Sequence, residues 1–328
     1  MESPPLPTCP RCGEPRILTP ECPRCGVLYA KARARTASAA LPDSSAQALP
    51  APLAPPLDGS GVPVGRPETI LTWQGDLEDA RDELRLRLFA LPVVLLGMWL
   101  LVSNQTGHFL LRTFLSMWIH ELGHALTAWF CGFPAIPGPW KTLVWETRTP
   151  LVFAGLAFLL MGLVFRGILL RSRLWVAAGA LGLLLQFAGT VLGSPTTSRM
   201  LITFGGDGGN LVLGTLLMLT LYLPRESALR RGWLHWGYLL IGAASFVDTF
   251  HEWWGARTDF AMIPFGIQEG SFSDPTVLVD QYGWDELMLI QRYTWLGLAC
   301  LAVLALGYAV GLWRARAALR ALEQPPGA

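Results

Sequence analysis

The sequence predicts an all-α protein, a polytopic transmembrane helix bundle of six or seven segments, one of them re-entrant, with a small zinc ribbon at its N-terminus. Three observations carry this reading. Of 328 residues 52% are hydrophobic and only 15% charged, against roughly 25% charged in an average soluble domain. From Leu88 onward apolar runs follow one another, while 14 of the 25 prolines precede residue 68 and four of the six cysteines precede residue 26. Trp and Tyr recur near the ends of the runs (Trp99, Trp175, Tyr222, Trp233, Trp295, Trp313), where their amphipathic rings fit the membrane–water boundary. A formal net charge of +1 offers no basic stripe to a nucleic acid. An ordinary soluble enzyme, a collagen-like chain and a disulfide-dense chain are excluded on the same grounds.

The leader divides in two. Residues 1–31 contain Cys9-Pro-Arg-Cys12-Gly and Cys22-Pro-Arg-Cys25-Gly, two knuckles whose four thiolates can converge tetrahedrally on one structural Zn²⁺. So short a piece cannot build a core, and the metal would supply its folding energy. Two disulfides or a redox Cys-x-x-Cys are the competing readings, and neither accounts for the duplication. Zinc-binding thiols require reducing conditions, which places this end in the cytosol. Residues 32–74, rich in Ala, Pro and Ser, read as an extended linker.

Residues 75–320 form the second part, a charged juxtamembrane helix leading into the membrane domain, with 321–328 as a tail. Glu83 and Arg87 pair at i,i+4 in the juxtamembrane helix. Apolar segments follow at about 88–103, 109–131, 150–170, 174–193, 200–223, 233–250 and 293–313. Arginines flank both ends of the domain (Arg81, Arg85 and Arg87; Arg314, Arg316 and Arg320), so both should be cytosolic. Seven full crossings cannot satisfy that, so one segment re-enters or stops short. The expected one is 200–223, interrupted by Gly205-Gly206-Asp207-Gly208-Gly209.

The chemistry lies in the second segment, which reads Met117-Trp118-Ile119-His120-Glu121-Leu122-Gly123-His124-Ala125. On a helix His120 and His124 stand one turn apart on one face and can share a catalytic Zn²⁺. Glu121 beside them can take a proton from metal-bound water. Ionisable groups inside an apolar helix are costly, which marks them as functional candidates. Ser116, His120, His124, Thr127 and Cys131 make one polar stripe, which should face the bundle interior. A catalytic zinc has three protein ligands. Asp207 is the expected third; Asp248, His251 and Glu252 on a later segment are the alternative, as ligand or as support to a ligand. Arg112 is expected to snorkel. Lys141–Glu146, after a Pro-rich stretch, is expected to be a loop or a short strand.

The His120-Glu121-Leu122-Gly123-His124-Ala125 motif, with Gly206-Asp207-Gly208-Gly209 further on, resembles the site-2 protease family of intramembrane zinc metalloproteases. The likeness is specific at the first motif and looser over residues 108–224, and the family's large inserted peptide-binding domain is missing. It implies zinc-dependent peptide-bond hydrolysis within the membrane, with Glu121 as general base, Asp207 as third ligand and a membrane-spanning protein as substrate. It also implies that the stretch around 133–146 offers a strand edge to an extended substrate. The leader resembles short zinc ribbons of bacterial membrane proteins, implying a bacterial inner-membrane location and a protein partner for the ribbon. Alternatives are a non-proteolytic zinc-binding scaffold or sensor, and a transporter with a midplane metal site.

Overall fold

The computed structural model describes residues 74–324, apart from 226, 231 and 269. Cys9, Cys12, Cys22 and Cys25 and the linker lie outside the described residues. The remainder is a helical bundle, and every apolar run of the sequence lies in a helix. The helices are α1 (Gln74–Val102), α2 (Gln105–Leu111), α3 (Met117–Phe130), α4 (Pro150–Leu169), α5 (Arg173–Phe187), α6 (Pro195–Leu219), α7 (Leu234–Gly255), α8 (Asp274–Tyr282) and α9 (Glu286–Glu323). Among the described residues, five stretches are long and apolar enough to cross a membrane: Asp76–Val102, Pro150–Leu169, Arg173–Leu192, Pro195–Tyr222 and Glu286–Glu323. The outer helices present bare apolar surface. Phe158 on α4 is 73% exposed and Trp295 on α9 is 70% exposed, which water would penalise and lipid does not.

The ends of the bundle are pinned by hydrogen bonds. Arg87 on α1 donates to the carbonyls of Leu223 (3.1 Å) and Gly311 (3.2 Å). Arg225 and Arg230 reach Glu83 at 2.9 and 2.6 Å. The start of α1, the α6–α7 loop and the C-terminal part of α9 therefore share one end, so both Arg-rich ends of the membrane domain lie together. At the other end Thr149 N–H donates to the Gly132 carbonyl (3.0 Å), and Arg148 donates to the carbonyls of Thr190 and Gly193 (3.0 and 2.8 Å).

The expected break within 200–223 is absent. Gly205, Gly206, Gly208 and Gly209 are interior residues of the continuous helix α6. They are there for packing: a Cβ on Gly123 of α3 would stand 2.2 Å from the Gly205 carbonyl oxygen and 2.8 Å from Gly209 Cα. Without side chains the backbones of α3 and α6 approach closely, as small residues allow in membrane helices. The irregular segment is instead 105–130. It opens at a turn where Asn104 caps α2 by accepting from Gly107 N–H (2.7 Å), and it passes through a π-helical turn, Arg112–Ser116, into α3. Gly123→Ala is expected to destabilise the fold by about 1–3 kcal/mol through overpacking, whereas Gly155→Ala, whose Cβ would meet nothing within 4 Å, should be neutral. Thermal unfolding of the two variants in detergent checks the contrast.

Among the described residues, two short antiparallel hairpins join the helices. In the first, β1 (Ala135–Ile136) pairs with β2 (Leu143–Val144), Ala135 opposite Val144. In the second, β3 (Ile267–Gln268) pairs with β4 (Ser271–Phe272). The prolines at 134, 137 and 139 end α3's path and leave a strand, not a helix, as the local option.

Candidate metal centre

Helix α3 places His120 and His124 as its i,i+4 spacing dictates, with ring centroids 4.8 Å apart. Each ring is oriented by its Nδ1. His120 Nδ1 lies 3.1 Å from Asp207 Oδ1, and His124 Nδ1 lies 2.7 Å from the Ile202 carbonyl oxygen. Both partners are pure acceptors, so each Nδ1 carries the proton and each Nε2 presents a lone pair. The two Nε2 atoms are 3.2 Å apart, and Asp274 Oδ2 stands 3.1 Å from both. This carboxylate oxygen is buried and accepts no hydrogen bond. Three electron-rich atoms thus face one another at short range, which only a cation or added protons between them can relieve. Donors on one tetrahedral ion with bonds of about 2.0–2.2 Å stand about 3.3 Å apart. The donor set, its spacing and the oriented imidazoles fit a zinc ion.

Asp207, the expected third ligand, does not stand with the Nε2 atoms; Asp274, which the sequence did not single out, does. Asp207 lies within α6 at the level of His120, but on the far side of the ring. Its Oδ1 meets Nδ1 and its Oδ2 accepts from Trp253 Nε1 at 2.9 Å. The carboxylate is 2% exposed and fully engaged in aligning His120. Asp274 arrives from outside the long helices, as the first residue of α8, after Ser273 and before Pro275. In the sequence it is one of several carboxylates in a polar stretch, and nothing local sets it apart. Trp253 was likewise illegible, because a tryptophan at the end of an apolar run reads as an interfacial anchor.

Asp248, His251 and Glu252 do not reach the Nε2 atoms. Glu252 pairs with Arg112 at 2.8 Å, and Asp248 lies 3.0 Å from His108 Nε2 and 3.9 Å from Arg112. His251 packs edge-on against Trp99, centroids 5.1 Å apart. Arg112 does not snorkel to a boundary. Its head turns inward to these carboxylates, because two buried anions need a compensating charge. The remaining stripe faces the interior: Ser116 accepts from Asn210 (3.2 Å), a Cβ on Gly205 of α6 would run into Thr127 Oγ1, and Cys131 is buried.

Glu121 is 5% exposed and its Oε2 has no hydrogen-bond partner. It lines, with His120, His124 and Asp274, a cavity of about 340 Å³. Both hairpins wall this cavity, the first through Trp140, Lys141 and Thr142, the second through Ser271 and Phe272. Thr142 Oγ1 donates to the Glu121 carbonyl (2.8 Å), fastening the first hairpin to the motif helix. The Lys141–Glu146 stretch thus includes a true strand, β2, with Leu143 58% exposed. Comparison of the chain with family models, with curated proteins and with solved structures finds no match to any of them.

Proposed function

We propose that this membrane protein is a zinc-dependent intramembrane endopeptidase. The observation that carries the reading is the convergence of His120 Nε2, His124 Nε2 and Asp274 Oδ2 within 3.2 Å of one another, beside the unpartnered carboxylate of Glu121. His120, His124 and Asp274 would hold the ion, which leaves one position open, as hydrolytic zinc sites do. When bound, zinc supplies Lewis acidity, polarising the scissile carbonyl and acidifying water at neutral pH.

The chain's own residues account for the rest of the reaction. Glu121 accepts a proton from the attacking water as its oxygen bonds to the carbonyl carbon. Glu121 then returns the proton to the amide nitrogen as the C–N bond breaks, leaving a carboxyl and an amine. Asp207 and Trp253 keep His120 in the tautomer that offers Nε2 to the metal. A polar cavity lined by Glu121, Thr142, Thr203 and Asp274 admits the water that hydrolysis inside a membrane protein needs. The exposed β1–β2 strand suits an unwound, extended stretch of a membrane-spanning substrate, since strand pairing satisfies the backbone of any sequence.

The test is metal removal. Purified protein is expected to cleave a single-span reporter, to lose that activity on chelation, and to regain it with stoichiometric Zn²⁺. Cleavage that continues unchanged after metal analysis shows the ion gone would overturn the reading. Zinc bound without cleavage of any reporter would favour the scaffold alternative.

A further inference from the structure

We infer that the metal cavity opens on the non-cytosolic face of the membrane, and that the site acts on peptide bonds at that boundary. The second half of this inference rests on the endopeptidase reading; the first does not.

Cations are distributed unevenly over the two ends of the bundle. Chain segments on the cytosolic side of a membrane carry the excess of Lys and Arg, counted in short loops and near helix ends. One end gathers the start of α1 with Arg81, Arg85 and Arg87, and the α6–α7 loop with Arg225 and Arg230, held together by the bonds to Glu83, Leu223 and Gly311. Arg314, Arg316 and Arg320 follow Gly311 on the last helix. The α4–α5 turn belongs to this end too. Thr149, at the start of α4, and Thr190, just past α5, both sit beside Gly132 and Arg148. Gln186 reaches back to the Phe153 carbonyl at 2.7 Å, so the two helices run antiparallel. A 20-residue helix is about 30 Å long, which puts Arg171 and Arg173 a membrane's thickness away from that junction.

The opposite end is poor in cations. It comprises residues 131–149, the α5–α6 junction and residues 256–285. Its loops contain Lys141, Arg148 and Arg257, and the adjoining helix starts add Arg199 and Arg292, against eleven arginines gathered at the other end (81, 85, 87, 171, 173, 225, 230, 231, 314, 316 and 320). Arg148 is used internally, donating to the carbonyls of Thr190, Gly189 and Gly193, and Arg257 lies over the Trp254 ring, 4.0 Å from its centroid. Residues 256–285 meanwhile carry Asp259, Asp274, Asp280 and Asp285. All of the cavity's hairpin residues belong to this cation-poor end, as does Asp274 itself. The metal site is thus built from the face that the charge rule assigns to the outside, while the described chain begins at the other.

Single cysteines read this directly in intact cells, with a membrane-impermeant maleimide and a mass-shift readout. The parent chain sets the background. Glu146→Cys and Asp280→Cys, both exposed at the cavity end, should gain a label in intact cells. Arg320→Cys should gain one only after permeabilisation. The reverse pattern at these positions would overturn the proposed orientation, whatever the activity of the protein. The products of reporter cleavage test the substrate half. Mass spectrometry should place the cut in the non-cytosolic half of the span, and a cut in the cytosolic half would overturn it. Loss of all cleavage dependence on Glu121 would instead sink the endopeptidase reading and leave the labelling result standing.

Discussion

Glu121→Gln is expected to lower cleavage of a membrane-spanning reporter by about 10²–10⁴-fold, the usual contribution of a general base, while leaving bound zinc unchanged. The amide has the shape of the carboxylate, so it fits the same buried position, but it cannot take up a proton. The hairpin should keep its place, because Thr142 is anchored on the Glu121 backbone carbonyl and not on the side chain. Turnover and metal content are therefore to be measured on the same preparation. Parent-like turnover would remove Glu121 from the mechanism. Loss of metal together with turnover would mean that the carboxylate serves the ion and not the proton.

Asp274→Ala and Asp207→Ala should separate a ligand from its support. With Asp274 gone, two imidazoles alone face the ion, and zinc should be lost in competition with a chromophoric chelator. With Asp207 gone, His120 can still reach the ion but loses the acceptor that fixes its ring and tautomer. Removing such a partner typically weakens metal binding by about 10–100-fold. The expected order is thus Asp274→Ala far weaker than Asp207→Ala, and Asp207→Ala weaker than the parent. Trp253→Phe, which deletes only the indole N–H to Asp207 Oδ2, should fall between Asp207→Ala and the parent. The opposite order for the two aspartates would restore Asp207 as the ligand.

What could be seen in the sequence follows from the range of the interactions involved. The apolar runs were legible because a membrane imposes one local demand, that each crossing satisfy its own backbone. The motif helix was legible because His120 and His124 are four residues apart, and a helix turns that spacing into proximity without help from the fold. The glycines around Asp207 were misjudged, since in isolation a run of them weakens a helix. Their value emerges only where the α3 backbone leans against them. Asp274 lies 150 residues beyond His124, and its role depends on how α6, α7 and α8 stack. No periodicity or spacing records that. Arg112 was misplaced for the same reason, because its partners Asp248 and Glu252 are far along the chain.

The late position of Asp274 also bears on how the protein is made. His120 and His124 emerge from the ribosome early, whereas the residue that completes their arrangement follows four further long helices. With Asp274 as a ligand, a partly synthesised chain has two histidines and a base but no finished centre. Under the proposed function, hydrolytic competence would be withheld until α8 has been delivered and docked through Leu278, which is fully buried. On the endopeptidase reading proposed above, the chain would thereby stay inert during its own insertion, and chains ending before residue 274 would lack the activity.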